Sequence, residues 1–432
     1  MKNIIFVLFS LIFVGCASKS LEYNVKNVNF YEPSWYKDFN QTVLNNLVDL
    51  SLKNSEDINI AVLNLEIAML KAGLIRDDFF PTPSGKFGAS TNKDIKTSSG
   101  WKNGFSSEFA LSYEVDIYGK IFDNYEARDW EAKASQSTLE NLRLTIINSV
   151  TDTYFNILYL NDAIRNLKQN LENLNMLGRL VFTKYELGKE EILSVRQSRQ
   201  NILDLQNQIL SNIRELETSY EIIKNFTRSD IKFDELSLSN VQNSDISLDI
   251  DFAILKNRPD INEAISNLNA SFYDYKVSEK NLYPSVSIGA SLSDSDSKFS
   301  DSFGFNILGG TLNINLPFLD YSRLKKQINI SEAQFKKNVL TYEKTLSNAV
   351  NEVIKYVNYY EGDKQRYENM QNIKKEREMI VAIYESKYSE GKAELKDLLE
   401  AKNSLISVQN MLLNQKYRLL NDELSYYKAI AK

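Results

Sequence analysis

Residues 185–210 read YELGKEEILSVRQSRQNILDLQNQIL, and residues 388–413 read YSEGKAELKDLLEAKNSLISVQNMLL. Tyr185, Gly188 and Lys189 return as Tyr388, Gly391 and Lys392. The match continues through Ile192/Leu395, Val195/Leu398, Leu205/Val408, Gln206/Gln409, Asn207/Asn410 and Leu210/Leu413. Phe80-Pro81 likewise returns as Tyr283-Pro284, and Gly88-Ala89-Ser90 as Gly289-Ala290-Ser291. A period of roughly 200 residues is a duplicated half, too large for a solenoid unit. Two like halves in one chain suggest a pseudosymmetric ring or tube built from few subunits.

Outward from the two glycines run long helical patterns. Leu139, Leu142, Ile146, Val150, Tyr154, Ile157, Asn161, Ile164, Leu167, Leu171, Leu174 and Val181 step by threes and fours with few breaks. Leu340, Leu346, Val350, Val353, Val357, Tyr360 and Tyr367 do the same less regularly. Of the 6 prolines, none falls between Ser84 and Arg258 or after Phe318. Proline costs about 3 kcal/mol inside a helix, so such gaps permit very long ones. A helix from Lys120 to Lys184 would be on the order of 95 Å long. Its polar faces carry Asn, Gln, Ser and Lys, so the apolar stripe is a seam against neighbouring helices. Each glycine can adopt the left-handed conformation that ends a helix. The expectation is two helical hairpins turning near 187–189 and 390–392, with return arms over 191–225 and 394–428. The arms are shorter than the incoming helices, whose remaining length must pack elsewhere.

Two segments of different character lie between the helical blocks. Phe105, Ser107, Phe109, Leu111, Tyr113 and Val115 alternate with Ser106, Glu108, Ala110, Ser112 and Glu114, and residues 83–90 precede them across a polar stretch. In the second half Val286, Ile288, Ala290 and Leu292 alternate, then Phe303, Phe305 and Ile307. The phase slips at Leu308–Gly310, where Gly309 and Gly310 predict a bulge, and resumes at Leu312, Ile314 and Leu316. A small soluble sheet with one buried face would show this alternation, and so would strands of a membrane barrel, apolar outward and polar inward. One chain offers four such strands, too few to close, whereas three chains offer twelve.

The N-terminus gives a compartment. Lys2 and the apolar run Ile4–Val14 read as a signal peptide, too short for a helical span. The run ends Phe13-Val14-Gly15-Cys16, and Cys16 is the one cysteine. A chance cysteine beside a signal peptide is one reading. A lipobox, in which Cys16 becomes the acylated N-terminal residue, is the sharper one, although Phe13 stands where Leu is usual. Charged residues at 25% and apolar residues at 43% fit a globular chain. A net charge of −6 without a Lys/Arg block argues against nucleic acid as a partner. With no histidine and a single cysteine, the usual zinc and nucleophile constellations are unavailable. No cofactor is expected beyond the covalent lipid on Cys16, and an enzyme is disfavoured.

Several motifs then carry a resemblance. Leu255-Lys256-Asn257-Arg258-Pro259-Asp260-Ile261 resembles the L-x-x-R-P-D-I segment of the TolC-like outer-membrane factors, in their lipoprotein (NodT-like) branch. Tyr113-Glu114-Val115-Asp116-Ile117-Tyr118-Gly119-Lys120 resembles that family's first strand-to-helix corner. Leu316-Pro317-Phe318-Leu319-Asp320-Tyr321-Ser322-Arg323 resembles the second, with Tyr321-Ser322 where the family has two glycines, which leaves its turn geometry open. The stretch Gly391–Ala401 is similar to the family's hairpin tip. The resemblance covers essentially all of the chain after Cys16. It implies a mainly α fold with a small β part. Long antiparallel hairpins would form an α-barrel, and four transmembrane strands per chain a trimeric 12-stranded β-barrel.

The implied organisation is a signal peptide over 1–15 and a lipidated, partly equatorial segment over 16–54. Two repeats would follow over 55–248 and 249–432, with strands at about 83–115 and 285–316 and hairpins at about 120–225 and 321–428. An equatorial belt would gather residues 23–54, 227–249 and the C-terminus. The implied partners are two further copies, outer-membrane lipid, a periplasmic adaptor and an inner-membrane resistance-nodulation-division pump. The implied role is export of small toxic molecules across the outer membrane of a Gram-negative cell. A type I protein-secretion duct and a non-conducting envelope spacer are the alternatives.

At the tip, Asp397 and Glu400 fall where the family places inward carboxylates. Their spacing of three sets both on one helix face, where symmetry would stack them into acidic rings that favour cations. Two solvated surface acids are the bland reading. Ser194 and Gln197 replace them in the first hairpin. Tyr185 and Tyr388 stand where relatives carry polar latches, or else pack in the seam. Leu187-Gly188-Lys189 and Glu390-Gly391-Lys392 resemble the adaptor-contacting turn, with lysine where an apolar residue is usual. Arg258, Pro259 and Asp260 mark the opening of the second repeat.

Overall fold

The computed structural model describes residues 33–96, 100–233, 236–243, 246 and 252–432. The signal peptide and Cys16 lie outside the described residues. So does residues 1–32's share of the expected equatorial segment.

Each half runs helix, two strands, long helix, shorter return helix, and the first half has one further helix ahead of these. The first half holds α1 (Thr42–Asn54), α2 (Glu56–Asp77), β1 (Thr82–Asn92), β2 (Lys102–Val115), α3 (Lys120–Glu186) and α4 (Ile192–Thr227). The second holds α5 (Pro259–Lys280), β3 (Ser285–Asp296), β4 (Ile307–Asn315), α6 (Tyr321–Ser389) and α7 (Leu395–Ile430). The 67 and 69 residues of α3 and α6 make rods of roughly 100 Å.

Both hairpin turns are the same device. Gly188 N–H donates to the Tyr185 carbonyl at 2.9 Å and Lys189 N–H to Lys184 at 2.8 Å. Gly391 and Lys392 donate to Tyr388 and Lys387 at 3.1 and 2.8 Å. These paired bonds satisfy the last helical carbonyls, and they require the left-handed backbone that Gly188 and Gly391 adopt at φ +70° and +71°.

The unpaired lengths of α3 and α6 are covered by two helices that the periodicity did not reveal. α2 lies along α3, and α5 lies between α3 and α6. Ser55 begins α2 by accepting from Ile58 N–H at 3.3 Å, and Pro259 opens α5 at a position where its missing N–H costs nothing. The main core sits at the middle of the long rods. There Trp35, Phe39, Tyr154, Phe155, Tyr360 and Tyr427 are buried between α1, α3, α6 and the end of α7. This core includes residues of the C-terminal turn of α7.

The strands form one antiparallel sheet in the order β1-β2-β3-β4. The bulge expected at Leu308–Gly310 is absent. β3 and β4 pair without interruption from Ser285↔Asn315 to Ser293↔Ile307. The phase change falls earlier, where Phe305 takes a left-handed φ of +49° and the chain folds back before β4 begins. Phe303 and Phe305 are therefore loop residues rather than strand. The second corner also departs from the first. α3 starts after Gly119 at φ +69°, whereas a 3-10 turn over Pro317–Asp320 leads straight into α6, so Ser322 is already helical.

Candidate channel wall and tunnel tip

Antiparallel partners share a face, so the pairings sort the sheet into two surfaces. Phe109 faces Gly85 and Leu292; Leu111 faces Ala290; Ile288 faces Leu312; Val286 faces Ile314. These residues, with Phe87 and Leu308, form one apolar surface. The other surface is Ser84, Lys86, Ser106, Glu108, Ser112, Ser287, Ser291, Asn313 and their neighbours. Phe109, Leu111, Ile288, Leu292, Leu308 and Leu312 are all exposed, at 41% to 79%. A soluble sheet would bury that surface, so exposure on this scale marks it as facing lipid. The 14 residues of β2 extend about 48 Å, or roughly 34 Å along a membrane normal at a tilt near 45°.

Aromatic side chains border the apolar band at both ends. At the far end the β3–β4 loop lies back on the outer face, with Phe299 against Phe87, Phe105 and Phe303 at 5.3–5.8 Å. Ser107 Oγ donates to the Ser302 carbonyl and fastens the loop. At the helix end Tyr118 and Tyr283 meet at 4.8 Å, beside exposed Phe80, Phe318 and Tyr321. Girdles of aromatic residues at both water interfaces are a mark of membrane barrels.

The corner between wall and rods is held by charge. Asp116 accepts from Ile121 and Phe122 N–H, both at 3.0 Å, and so caps α3. Lys280 at the end of α5 reaches buried Asp123 at 2.5 Å and the Gly119 carbonyl at 2.9 Å.

At the opposite end the two hairpins are tied together. Lys184, near the end of α3, meets Glu394 at 2.5 Å, and that hydrogen bond raises the ammonium's pKa above its usual range. Glu394 is also the cap of α7. Its side chain accepts from Asp397 N–H, and Asp397 Oδ2 accepts from Glu394 N–H at 3.1 Å. This reciprocal pair is a capping box. Asp397 is therefore engaged in starting the helix, while Glu400, one turn further, is exposed. Tyr185, Tyr388 and Leu187 are exposed at 39%, 43% and 64%.

The family model described as outer membrane efflux protein matches residues 47–225 and 253–432. The chain belongs to that family. It is 28% identical over 416 residues to the toxin and drug export protein A of Aggregatibacter actinomycetemcomitans, covering 95% of this chain and 89% of that one. It is 25% identical over 415 residues to the pyoverdine export outer membrane protein OpmQ of Pseudomonas aeruginosa, covering 92% and 86%. The solved CmeC outer membrane channel of Campylobacter jejuni superposes with a TM-score of 0.84 at 24% identity, over 95% of this chain and 90% of that one. The fold is thus that of an outer-membrane channel subunit, with helical hairpins continuing into strands.

The Arg258-Pro259-Asp260 motif of this efflux protein has a structural explanation. Arg258 donates to both oxygens of Asp260, to Glu352 and to the Ala429 carbonyl, and so joins the start of α5 to α6 and the end of α7. Burial works against the guanidinium's charge, and Asp260 and Glu352 more than offset it, so its pKa is raised. The sequence reading missed the aromatic borders and the Lys184–Glu394 tie. The borders had a signal in the aromatic residues flanking each strand. The tie had one in the repeat itself, since Lys184 and Glu394 have like-charged counterparts in Lys387 and Glu191.

Proposed function

We propose that three copies of this chain form one conduit, a 12-stranded barrel in the outer membrane above a periplasmic tunnel of helical hairpins, through which small toxic molecules are exported. The observation that carries this reading is the sheet: apolar on one surface, polar on the other, and unpaired along both β1 and β4. Open edges at membrane depth leave backbone groups without partners, and closure by further copies supplies them. Three copies give an even-numbered barrel of ordinary size. The conduit receives cargo from a periplasmic adaptor, which meets the turns at Leu187-Gly188-Lys189 and Glu390-Gly391-Lys392, and an inner-membrane resistance-nodulation-division pump drives it. Acylation of Cys16 anchors each copy in the outer membrane. The relatives' names, toxin and drug export and pyoverdine export, support an export duct and differ in cargo.

Deletion in a strain without a second such channel is expected to give hypersensitivity to dyes, bile salts and antibiotics. Purified protein is expected to conduct in planar bilayers. Unchanged susceptibility together with non-conducting purified protein would overturn the proposal. Loss of a secreted protein instead of drug resistance would favour the type I secretion duct.

A further inference from the structure

The two hairpins differ sharply at one height. Aligned on Gly188 and Gly391, Leu160 of α3 corresponds to Asp363 of α6, and Ser219 of α4 to Asp422 of α7. In the first hairpin Leu160 is buried, and buried Ser219 accepts from Asn156 Nδ2 at 3.1 Å. In the second hairpin two carboxylates meet across the seam between α6 and α7. The Asp363 side chain is 13% exposed and accepts from Arg366 Nη1 at 3.0 Å. Asp422 Oδ2 is shut off from water and finds no hydrogen-bond donor among the described residues. A carboxylate in that position, facing a second carboxylate, is satisfied as the acid, with its proton shared with the neighbour. Loss of solvent, then the charge of Asp363 and a hydrogen bond to it, push Asp422 up to about 7 against the pull of Arg418.

The other charged groups nearby are engaged elsewhere. On α6, Lys364 lies over the Tyr360 ring. On α7, Lys416 donates to the Ser239 and Val241 carbonyls at 3.2 and 2.7 Å. Asp152 of α3 accepts from Tyr417 Oη at 3.0 Å, and burial raises its pKa. Of the 3-10 turns over Leu238–Asn240 and Phe252–Asn257, which also pack on α7, the second brings Lys256, which is exposed.

This is also the height at which α6 passes from anchored to free. Ala349, Val353, Val357 and Tyr360 lie in the main core, and from there to Ser389 the helix buries Val381 alone among the described residues. Gly362 stands at that boundary. Glycine is the poorest helix former apart from proline, and packing does not call for it here, since a Cβ would meet nothing within 4 Å. Gly178 of α3 is different, because a Cβ there would meet Ser198 and Ile202 at 3.1 and 3.2 Å. The first-half counterpart of Gly362 is Tyr159, which stacks on Tyr417 with ring centroids 5.3 Å apart. Gln415 Nε2 donates to the Asp363 carbonyl at 3.3 Å, so α7 holds the backbone of α6 at this same turn. Roughly 40 Å of helix lies between Gly362 and Ser389, so a bend of roughly 5° would carry the tip about 3–4 Å.

We infer that Asp363 and Asp422 form a proton-operated hinge in the second hairpin: with a proton between them α6 and α7 stay closed, and when that proton passes to water the two charges repel and α6 bends at Gly362. The folded pKa of Asp422 lies above that of a free carboxyl, so the closed seam is fully favoured below about pH 4 and loses that advantage as pH rises through about 7. The first hairpin has no such device, since Leu160 and Ser219 carry no charge. The hinge is read within one chain and stands apart from the number of copies; only its effect on passage rests on the conduit reading.

The test is hydrogen exchange of the full-length protein in detergent at pH 5 and pH 8, with each rate divided by that of a free amide at the same pH. The wild type is expected to lose about tenfold in protection over 361–367 and 418–424 at the higher pH, while 158–164 and 215–221 of the first hairpin stay unchanged. Asp422→Asn is expected to abolish the loss. Equal protection at both pH values, a loss shared by the first hairpin, or a loss that persists in Asp422→Asn would overturn the hinge. Should that variant fail to insert, Asp363→Asn decides in the same way, because it removes the facing charge. Planar-bilayer conductance then separates the two readings. Wild-type conductance is expected to change between pH 5 and pH 8, and that of Asp422→Asn to stay constant. Conductance that ignores pH while exchange responds would overturn the link from hinge to tip. Protein that never conducts, yet shows the exchange pattern, would overturn the conduit reading and leave the hinge standing.

Discussion

Replacing Arg258 with Met should loosen the junction between the two halves. Its Nε and Nη2 donate to the Asp260 oxygens at 3.0 and 2.8 Å, Nη2 to Glu352 at 2.9 Å, and Nη1 to the Ala429 carbonyl at 2.6 Å. The side chain is 10% exposed, so little of this is screened by water. Removing one member of a buried ion pair costs about 3–5 kcal/mol. Asp260 and Glu352 are 32% and 36% exposed and can rehydrate, which places the loss near the lower end, about 3 kcal/mol. At about 2.1 cal/mol/K per residue over roughly 400 residues, that is a fall of about 4 °C in Tm. Arg258→Lys keeps the charge but cannot span Asp260 with a planar fork, so roughly half the loss is expected. Thermal unfolding of the purified protein in detergent, followed by circular dichroism at the helical band, reads both variants. A Met variant that melts with the wild type, or a Lys variant as unstable as the Met variant, would refute this account of the motif.

Asp422, half-buried beside Asp363, has its pKa pushed up to about 7, chiefly by loss of solvent and then by that second carboxylate. A folded pKa above the unfolded one means stability present at low pH and lost as pH rises from about 4 to about 7, at most about 4 kcal/mol and on the order of 1–2 after screening. Asp422→Asn should therefore raise Tm more at pH 8 than at pH 5, and an equal shift at both would sink the idea. Gly391→Ala forces a side chain into the left-handed region and should cost about 1–2 kcal/mol at the turn, read as faster hydrogen exchange there; unchanged protection would contradict it. Lys184→Glu sets like charges against Glu394 and should raise bilayer conductance, whereas wild-type conductance would show that this bridge does not hold the tip. Asp397→Ala removes one half of the capping box and should fray the start of α7 while leaving cation preference intact, whereas Glu400→Ala should reduce that preference; the reverse pattern would give the selectivity role to Asp397.

The parts of the fold legible in the sequence were those with one unbroken period or one decisive residue. α3 shows its stripe because its apolar residues converge on a continuous seam, and Gly188 and Gly391 end their helices for a reason visible in one residue. α5 escaped notice because it lies between α3 and α6 and its apolar residues are interrupted by polar ones, so no long stripe emerges. The apolar residues of α2 go all round the helix, which also leaves no single stripe. The break before β4 was misplaced because Phe303, Phe305 and Ile307 alternate as a strand would. Phe303 and Phe305 do so while lying in a loop whose aromatic rings cover the outer face of the sheet, and only Ile307 belongs to β4. Asp397 was ambiguous for a different reason. A carboxylate at the third position of a helix and a carboxylate in a pore ring have the same spacing, and the hydrogen bond from Glu394 N–H bears on the first role alone.

The polar surface of the sheet bears on how cargo is chosen. It presents mainly Ser, Gly, Asn and Thr, with scattered charges at Lys86, Glu108 and Glu114. Short hydroxyl and amide groups in contact with water exchange one hydrogen bond for another at little net gain. A wall of this kind passes solutes without holding them, as conduction requires, since a strongly binding site would retain what it admits. Discrimination among cargoes then has to come from a place where desolvation is complete, and not from this wall. A duct built this way can be similar in sequence to proteins named for drug export and for pyoverdine export without carrying a binding site for either.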